Sequence, residues 1–389
     1  MCYNKKFMRD KCLIVNLLLF IFFFVSCGNN SGAKKAEQIK DVSGSSYDLK
    51  YAKGFKLNTI GETKILQVSN PWQGVSGVEF TYYLKPDADP RKMDEIRIPV
   101  NKVICLSTTH IAYIESLDKA ETIDGVSGAT YVSNPTVRQR IADKKVFDVG
   151  YESGLSYETV VNIKPDVVFA YGVSGELTGI VAKLNELGIK VVFLGDYLEE
   201  TALGKSEWLM VMASFYDMED KAQKILNSIF DDYNVLKSKI EAEISNRPKV
   251  MLNAPWKDSW YIPGGSSYMV NLLKDAGADF ILGNNDKRDS YPINIEKAYS
   301  EALKAEYWLN PNAAQSLNDI KQEDSRLAEI SAFKQRKVYN NNMRMTPGGG
   351  SDFWESGVMN PNIILKDLIK IFHPQIVDDH RLVYFHQLK

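Results

Sequence analysis

From Lys205 to Arg247 the chain contains neither Gly nor Pro, and Phe215, Met218, Ala222, Ile225, Ile229, Tyr233, Leu236 and Ile240 fall three or four residues apart. That period puts them on one face of an α-helix. Bounded by Gly204 and Pro248, the segment reads as a single connecting helix over 204–247, which at 1.5 Å per residue would approach ~60 Å. Two helices or a helical hairpin satisfy the same period, but neither Gly nor Pro marks a turn between them.

On both sides of this segment the pattern shortens. Val103-Ile104-Cys105-Leu106, Val167-Val168-Phe169-Ala170 and Val191-Val192-Phe193-Leu194 are continuous apolar runs of the kind that form strands buried on both faces. Helical patterns separate them, from Ile111 to Leu117 after the cap candidates Ser107 and Thr108, and from Leu177 to Leu187 before Gly188. With a β-like stretch from Thr63 to Tyr83, they define an α/β lobe over 56–203. The rhythm resumes over 248–389: strands at Val250-Met251-Leu252-Asn253, Tyr307-Trp308-Leu309 and Lys337-Val338-Tyr339, a helix from Ser267 to Ala276 ahead of Gly277, and a last helix from Pro361 to Phe372. The expected fold class is α/β: two Rossmann-like lobes joined by one long helix, with a ligand cleft between the lobes.

The first residues differ from all of this. Lys5, Lys6, Arg9 and Lys11 precede an apolar run over 13–25, a basic head and a hydrophobic stretch too short to span a bilayer comfortably. The run ends in Phe24-Val25-Ser26-Cys27, which resembles a bacterial lipobox. Residues 1–26 are thus expected to be a lipoprotein signal peptide and Cys27 the lipidated first residue of an exported protein; several acyl chains on one cysteine anchor firmly where a single chain does not. Residues 27–55 begin with a stretch rich in Gly, Ser, Asn, Lys and Ala and read as a flexible tether. Cys2 and Cys12 would leave with the signal, so the folded body keeps one thiol, Cys105, and no disulfide framework. With 47 basic and 49 acidic residues and no basic stripe interleaved with aromatics, nucleic acid is excluded as a partner.

Several stretches around the helical segment carry a family likeness. They are Pro99-Val100-Asn101-Lys102-Val103-Ile104-Cys105-Leu106-Ser107, Ile123-Asp124-Gly125-Val126, Val149-Gly150 with Glu158, Ile163-Lys164-Pro165-Asp166-Val167-Val168, and finally Lys337-Val338-Tyr339, Pro361 to Leu368 and His373-Pro374. In this order the chain resembles the periplasmic solute-binding proteins of ABC importers for iron chelates, haem and cobalamin, whose two lobes are joined by one long helix. The resemblance implies a monomeric, non-enzymatic receptor. Its cargo would be an iron chelate of ferric siderophore type, with a corrinoid or haem as alternatives, and its partners a membrane permease and that permease's ATPase. It also implies docking through one acidic side chain on each lobe, for which Glu176 in the first lobe and Glu323 or Asp324 in the second are the candidates.

Ligands of α/β folds bind outside the carboxyl ends of the strands, so the loops after each strand supply the site candidates. In the first lobe these are Thr108, Thr109, His110, Tyr131, Tyr151, Tyr171 and Tyr197; in the second, Trp256, Trp260, Tyr261, Arg344 and Trp354. Tyr and Trp offer broad apolar faces with a polar edge, suited to a large flat cargo; core packing is the competing role for each. Arg344 is either a partner for a cargo carboxylate or a solvated surface charge. His110 is either a metal ligand or a residue packed at a helix start, and Tyr131 or Tyr151 could serve as an axial phenolate to haem. The four histidines, His110, His373, His380 and His386, form no pair at metal-ligand spacing, so no resident metal or other cofactor is expected. An exported hydrolase or chelatase is the alternative of another class, but no G-x-S-x-G elbow or phosphate-binding Gly-Lys-Ser/Thr occurs, and Gly348-Gly349-Gly350 reads as a tight turn.

Overall fold

The computed structural model describes residues 44–151, 154–172 and 177–389. The signal segment, Cys27, the first part of the tether, Glu152 and Glu176 lie outside the described residues. Among the described residues no helix is long and apolar enough to cross a membrane.

The chain opens with a meander. Strands β1 (Ser45–Ser46), β2 (Phe55–Ile60), β3 (Thr63–Ser69), β4 (Glu79–Lys85) and β5 (Glu95–Arg97) form one sheet in that order, antiparallel except for the last pair. Leu66, Val68, Tyr82 and Leu84 alternate into the core, as the period of two along a strand requires. Of the residues expected to form a flexible tether, 45–46 and 55 lie in strands of this sheet. Two buried carboxylates fix the segment between them. Glu207 accepts the backbone N–H groups of Lys50, Tyr51 and Ala52 at 2.9, 2.8 and 2.6 Å. Glu199 accepts those of Lys53 and Gly54, each at 2.9 Å, and the Trp208 indole N–H at 3.0 Å.

The first lobe follows as β6 (Val103–Cys105), α1 (Thr108–Ser116), β7 (Ile123–Val126), α2 (Pro135–Ala142), β8 (Phe147–Asp148), α3 (Tyr157–Ile163), β9 (Val167–Ala170), α4 (Leu177–Glu186) and β10 (Val191–Phe193). Its sheet is wholly parallel in the order β10-β9-β6-β7-β8. Strand runs buried on both faces explain why helices flank it. Because β6 pairs with both β7 and β9, the strand order reverses beside it, and such a switch point leaves a crevice at the carboxyl edge.

The connector differs from the single helix expected. It divides into α5 (Ala202–Glu207), α6 (Leu209–Ser214) and α7 (Glu219–Glu243). Only α7, with 25 residues, is long, about 37 Å at 1.5 Å per residue. It packs against α6, so the chain makes the helical hairpin that stood as the alternative to one continuous helix. Asp217 supplies the turn by adopting φ 55°, a left-handed conformation that Asp tolerates better than most residues. Phe215 and Tyr216 are buried on the way round: the Phe215 carbonyl accepts from Val100 N–H at 2.9 Å, and the Tyr216 hydroxyl meets that of Thr122 at 2.8 Å. The buried stripe of α7 consists of Ala222, Leu226, Ile229, Phe230, Tyr233, Leu236 and Ile240.

The second lobe contains β11 (Lys249–Leu252), β12 (Pro255–Trp256), β13 (Ser259–Ile262), α8 (Tyr268–Asp275), β14 (Asp279–Phe280), β15 (Tyr291–Ile293), α9 (Ile295–Ala302), β16 (Tyr307–Leu309), α10 (Leu317–Glu323), α11 (Ser331–Lys334), β17 (Val338–Asn340), α12 (Pro361–Phe372) and β18 (His386–Gln387). The main sheet runs β14-β11-β16-β17-β18, parallel apart from β18. A separate antiparallel ribbon, β12-β13-β15, leaves its edge. The last helix spans the expected residues, with Pro361 in its first turn, where a missing N–H costs nothing.

Candidate ligand cleft

The lobes meet along the carboxyl edge of the first sheet. After β6, Ser107 caps α1 by accepting from Thr109 N–H, and its hydroxyl lies 3.1 Å from that of Thr109. Thr108 and Thr109 are thereby held in the first turn of α1. One turn on, His110 is fully buried with neither ring nitrogen in a well-formed hydrogen bond. Its ring stands edge-on to Phe169 and Tyr171, centroids 6.3 and 6.4 Å away. Burial lowers its pKa to about 4, outweighing the opposing field of Asp196 and the Phe169 backbone, so the imidazole is neutral at pH 7.

Three of the expected tyrosines come together above it. The Tyr151 and Tyr171 hydroxyls are 3.3 Å apart, and the Tyr171 and Tyr197 rings meet nearly at right angles with centroids 6.0 Å apart. Tyr197 donates to the Gly172 carbonyl at 2.5 Å, and burial pushes its phenol up to about 12. Tyr131 stands apart from this cluster. It belongs to a short loop against which the Gly348-Gly349-Gly350 segment packs: a Cβ on Gly350 would fall 2.0 Å from the Tyr131 carbonyl oxygen, and Thr346 donates to the Thr130 carbonyl at 2.8 Å. Gly348 and Gly350 are thus a contact between lobes as well as part of a turn.

The opposing wall comes from the second lobe. Tyr268 opens α8 and lies against Trp354, ring centroids 6.4 Å apart. The half-buried Lys205 places its ammonium 4.8 Å from the Tyr268 ring centre, a cation–π distance. A chamber of about 220 Å³ runs between Tyr197, Leu198 and Lys205 on one side and Tyr268, Arg288 and Trp354 on the other. Beside it a second chamber of about 220 Å³ is walled by Trp72 and Gln73 of the β3–β4 loop, and the two share Gln73, Leu198, Glu199, Arg288 and Asp289.

Four candidates of the second lobe lie elsewhere. Trp260 is core, fully buried, its indole N–H donating to the Leu252 carbonyl at 3.0 Å and its ring tilted against Trp308. Tyr261, its neighbour in β13, takes the exposed side. Trp256 sits at a hairpin turn with Lys257 over its ring at 4.3 Å, and does not line either chamber. Arg344 is paired with Asp352 at 3.0 Å, so its charge is matched within the lobe. Glu323 is exposed at the end of α10, whereas Asp324 is tied to Arg326 at 2.8 Å.

Tyr268 and Lys205 were not anticipated, because each sat inside a segment read only for its helical period. Glu355 was also missed, because its partners lie more than 200 residues away in the other lobe. It bridges the lobes, accepting from Ser133 and Asn134 N–H at 2.7 and 2.6 Å, and burial pushes its carboxyl up to about 7. Among the described residues no three His, Cys, Asp or Glu side chains come together to hold a metal.

Two α/β lobes closed against a helical connector, with an aromatic chamber between them, define a receptor that holds a small molecule in a cleft. The chain belongs to the periplasmic binding protein family, whose model matches residues 103–342. Members are the substrate-binding components of ABC importers, not enzymes. An uncharacterised lipoprotein of Methanocaldococcus jannaschii, MJ0878, is 27% identical over 365 residues, 87% of this chain and 84% of its own. In fold, the chain is similar to a periplasmic haem-binding protein from Pseudomonas aeruginosa (TM-score 0.56, 15% identity, 75% of this chain and 98% of that one). It is also similar to a protein of Staphylococcus epidermidis described as a possible iron-binding periplasmic solute-binding protein (TM-score 0.54, 16% identity, 70% and 98%).

Proposed function

We propose that this chain is a lipid-anchored receptor that captures an iron chelate of ferric siderophore type and hands it to an ABC permease, acting as a monomer tethered through Cys27 at the outer face of the cytoplasmic membrane. The observation that carries the cargo reading is the chamber with Tyr197 on one side and Tyr268 and Trp354 on the other, with Tyr171 and Tyr151 packed in turn behind Tyr197. Such walls favour a bulky, rigid, partly apolar ligand. The interlobe contacts at Glu355 and Gly350 favour a preformed cleft with modest closure. Docking would use exposed carboxylates, with Glu176 and Glu323 the proposed pair, which steer and register more than they bind.

Haem is the second reading, favoured by the half-exposed Tyr151 beside Tyr171, since a phenolate can serve as an axial ligand to haem iron; a corrinoid fits the same walls. Titration of the tryptophan fluorescence with a ferric siderophore panel, haemin and cyanocobalamin tests the proposal. The expected result is quenching by one of them with a Kd below about 10 μM, roughly −7 kcal/mol. Failure of every ligand to bind at that level would sink the cargo reading.

A further inference from the structure

The β3–β4 connection, residues 70–78, is longer than the two to five residues a hairpin needs, and it belongs to a meander that lies before the family-matched stretch 103–342. It does not stand free. Asn70 closes its base by donating to the Val78 carbonyl at 2.7 Å. Trp72 packs against Phe193 of β10, ring centroids 5.5 Å apart, and Pro71 lies over Gly195, where a Cβ would meet its Cα at an ordinary contact distance of 3.7 Å. The Gln73 backbone reaches the Tyr197 phenol of the aromatic wall. The loop is therefore pinned across the carboxyl end of β10, where ligands of α/β folds sit, and it walls the second chamber described above.

We propose that this loop is a third wall of the cleft and that Gln73 recognises a neutral, hydrogen-bonding arm of the cargo, one bearing amides or hydroxyls. The inference rests on the receptor reading and deepens it by naming a feature of the cargo. Its chemistry follows from the charges around the chamber, where Asp289 lines the wall and opposes an anionic arm. Lys53 and Arg288 both pair with Glu200, at 3.2 and 2.6 Å. Glu199 is occupied by the backbone N–H groups of Lys53 and Gly54 and by the Trp208 indole. An anionic arm would have to compete with Glu200 for both cations, whereas a carboxamide such as that of Gln73 offers a donor and an acceptor to a neutral one.

The test is binding of ferrichrome, cyanocobalamin and haemin to the natural protein, to Gln73→Ala and to Trp72→Ala. Ferrichrome and cyanocobalamin are fringed with amides; haemin carries two carboxylates. Gln73 is exposed, so its truncation leaves the fold intact, and an unchanged thermal melt verifies this. The natural protein is expected to bind an amide-fringed ligand, and Gln73→Ala to weaken that binding roughly three- to ten-fold, the range of one net hydrogen bond; Trp72→Ala, by freeing the loop, should weaken it further. Binding of an amide-fringed ligand that Gln73→Ala leaves unchanged would overturn the third wall while the receptor reading stands. Binding of haemin alone, or an equal loss for haemin and the amide-fringed ligands, would overturn the neutral arm. Absence of binding by all three to the natural protein would count against the cargo reading itself and this inference with it.

Discussion

The Glu355 carboxylate of the second lobe accepts the backbone N–H of Asn134 in the first at 2.6 Å. Asn134 is the N-cap of α2, so the carboxylate faces the positive end of a helix, which favours its charge. Burial nevertheless wins, because desolvation raises the carboxyl from 4.5 to about 7 against the pull of the two N–H groups.

This sets a pH dependence of known sign. Between pH 4.5 and 7 Glu355 keeps its proton in the folded protein and loses it in the unfolded chain, so its contribution lowers stability as pH rises through that window and then levels off. His110, held down from 6.5 to about 4, acts oppositely: the unfolded chain binds a proton that the folded protein refuses, and stability is lost as pH falls from 6.5 to 4. Each effect is on the order of 3 kcal/mol, so they nearly cancel where they overlap. Urea denaturation across pH 4.5 to 6.5 should show a shallow slope for the natural protein. It should show stability falling with rising pH in His110→Phe and falling with declining pH in Glu355→Gln. Parallel pH profiles in all three proteins would refute both assignments.

The turn at Asp217 is also measurable. With φ 55°, Asp217→Gly should leave stability within about 1 kcal/mol, since the ion pair lost to Lys64 at 2.6 Å is partly exposed. Asp217→Val should cost about 1–2 kcal/mol, because a β-branched residue resists the left-handed region. If thermal unfolding finds the two variants equally stable, the hairpin between α6 and α7 is not held by this residue.

These features show where the sequence was legible and where it stopped. The apolar runs of β6, β9, β10 and β16 announced themselves because burial on both faces leaves no polar position, and Ser107, Gly277 and Pro361 marked helix ends through local chemistry. The long helix was legible, but the break ahead of it was not, because it falls at Asp217 after Phe215 and Tyr216, which are held by the remote partners Val100 and Thr122. In β13 the alternation puts Trp260 with Ile262 on one face and Tyr261 with Ser259 on the other, and the first face enters the core. The stretch from Lys50 to Gly54 depends on Glu199 and Glu207, some 150 residues away, which no local pattern could reveal. Around the chamber, Tyr197 and Trp354 are legible from their place after strands, whereas Tyr268 and Lys205 lie in helices and need knowledge of how the lobes close.

The central claim is that cargo lies between the walls carrying Tyr197 and Trp354. Calorimetric titration of Trp354→Ala beside the natural protein, using whichever panel ligand quenches the natural protein's fluorescence, tests it most directly. Losing one face of the stack should weaken binding about ten-fold or more, the scale of about 1.5–3 kcal/mol for an aromatic side chain buried on a ligand. An unchanged Kd in a variant that melts like the natural protein would place the cargo elsewhere and contradict the account.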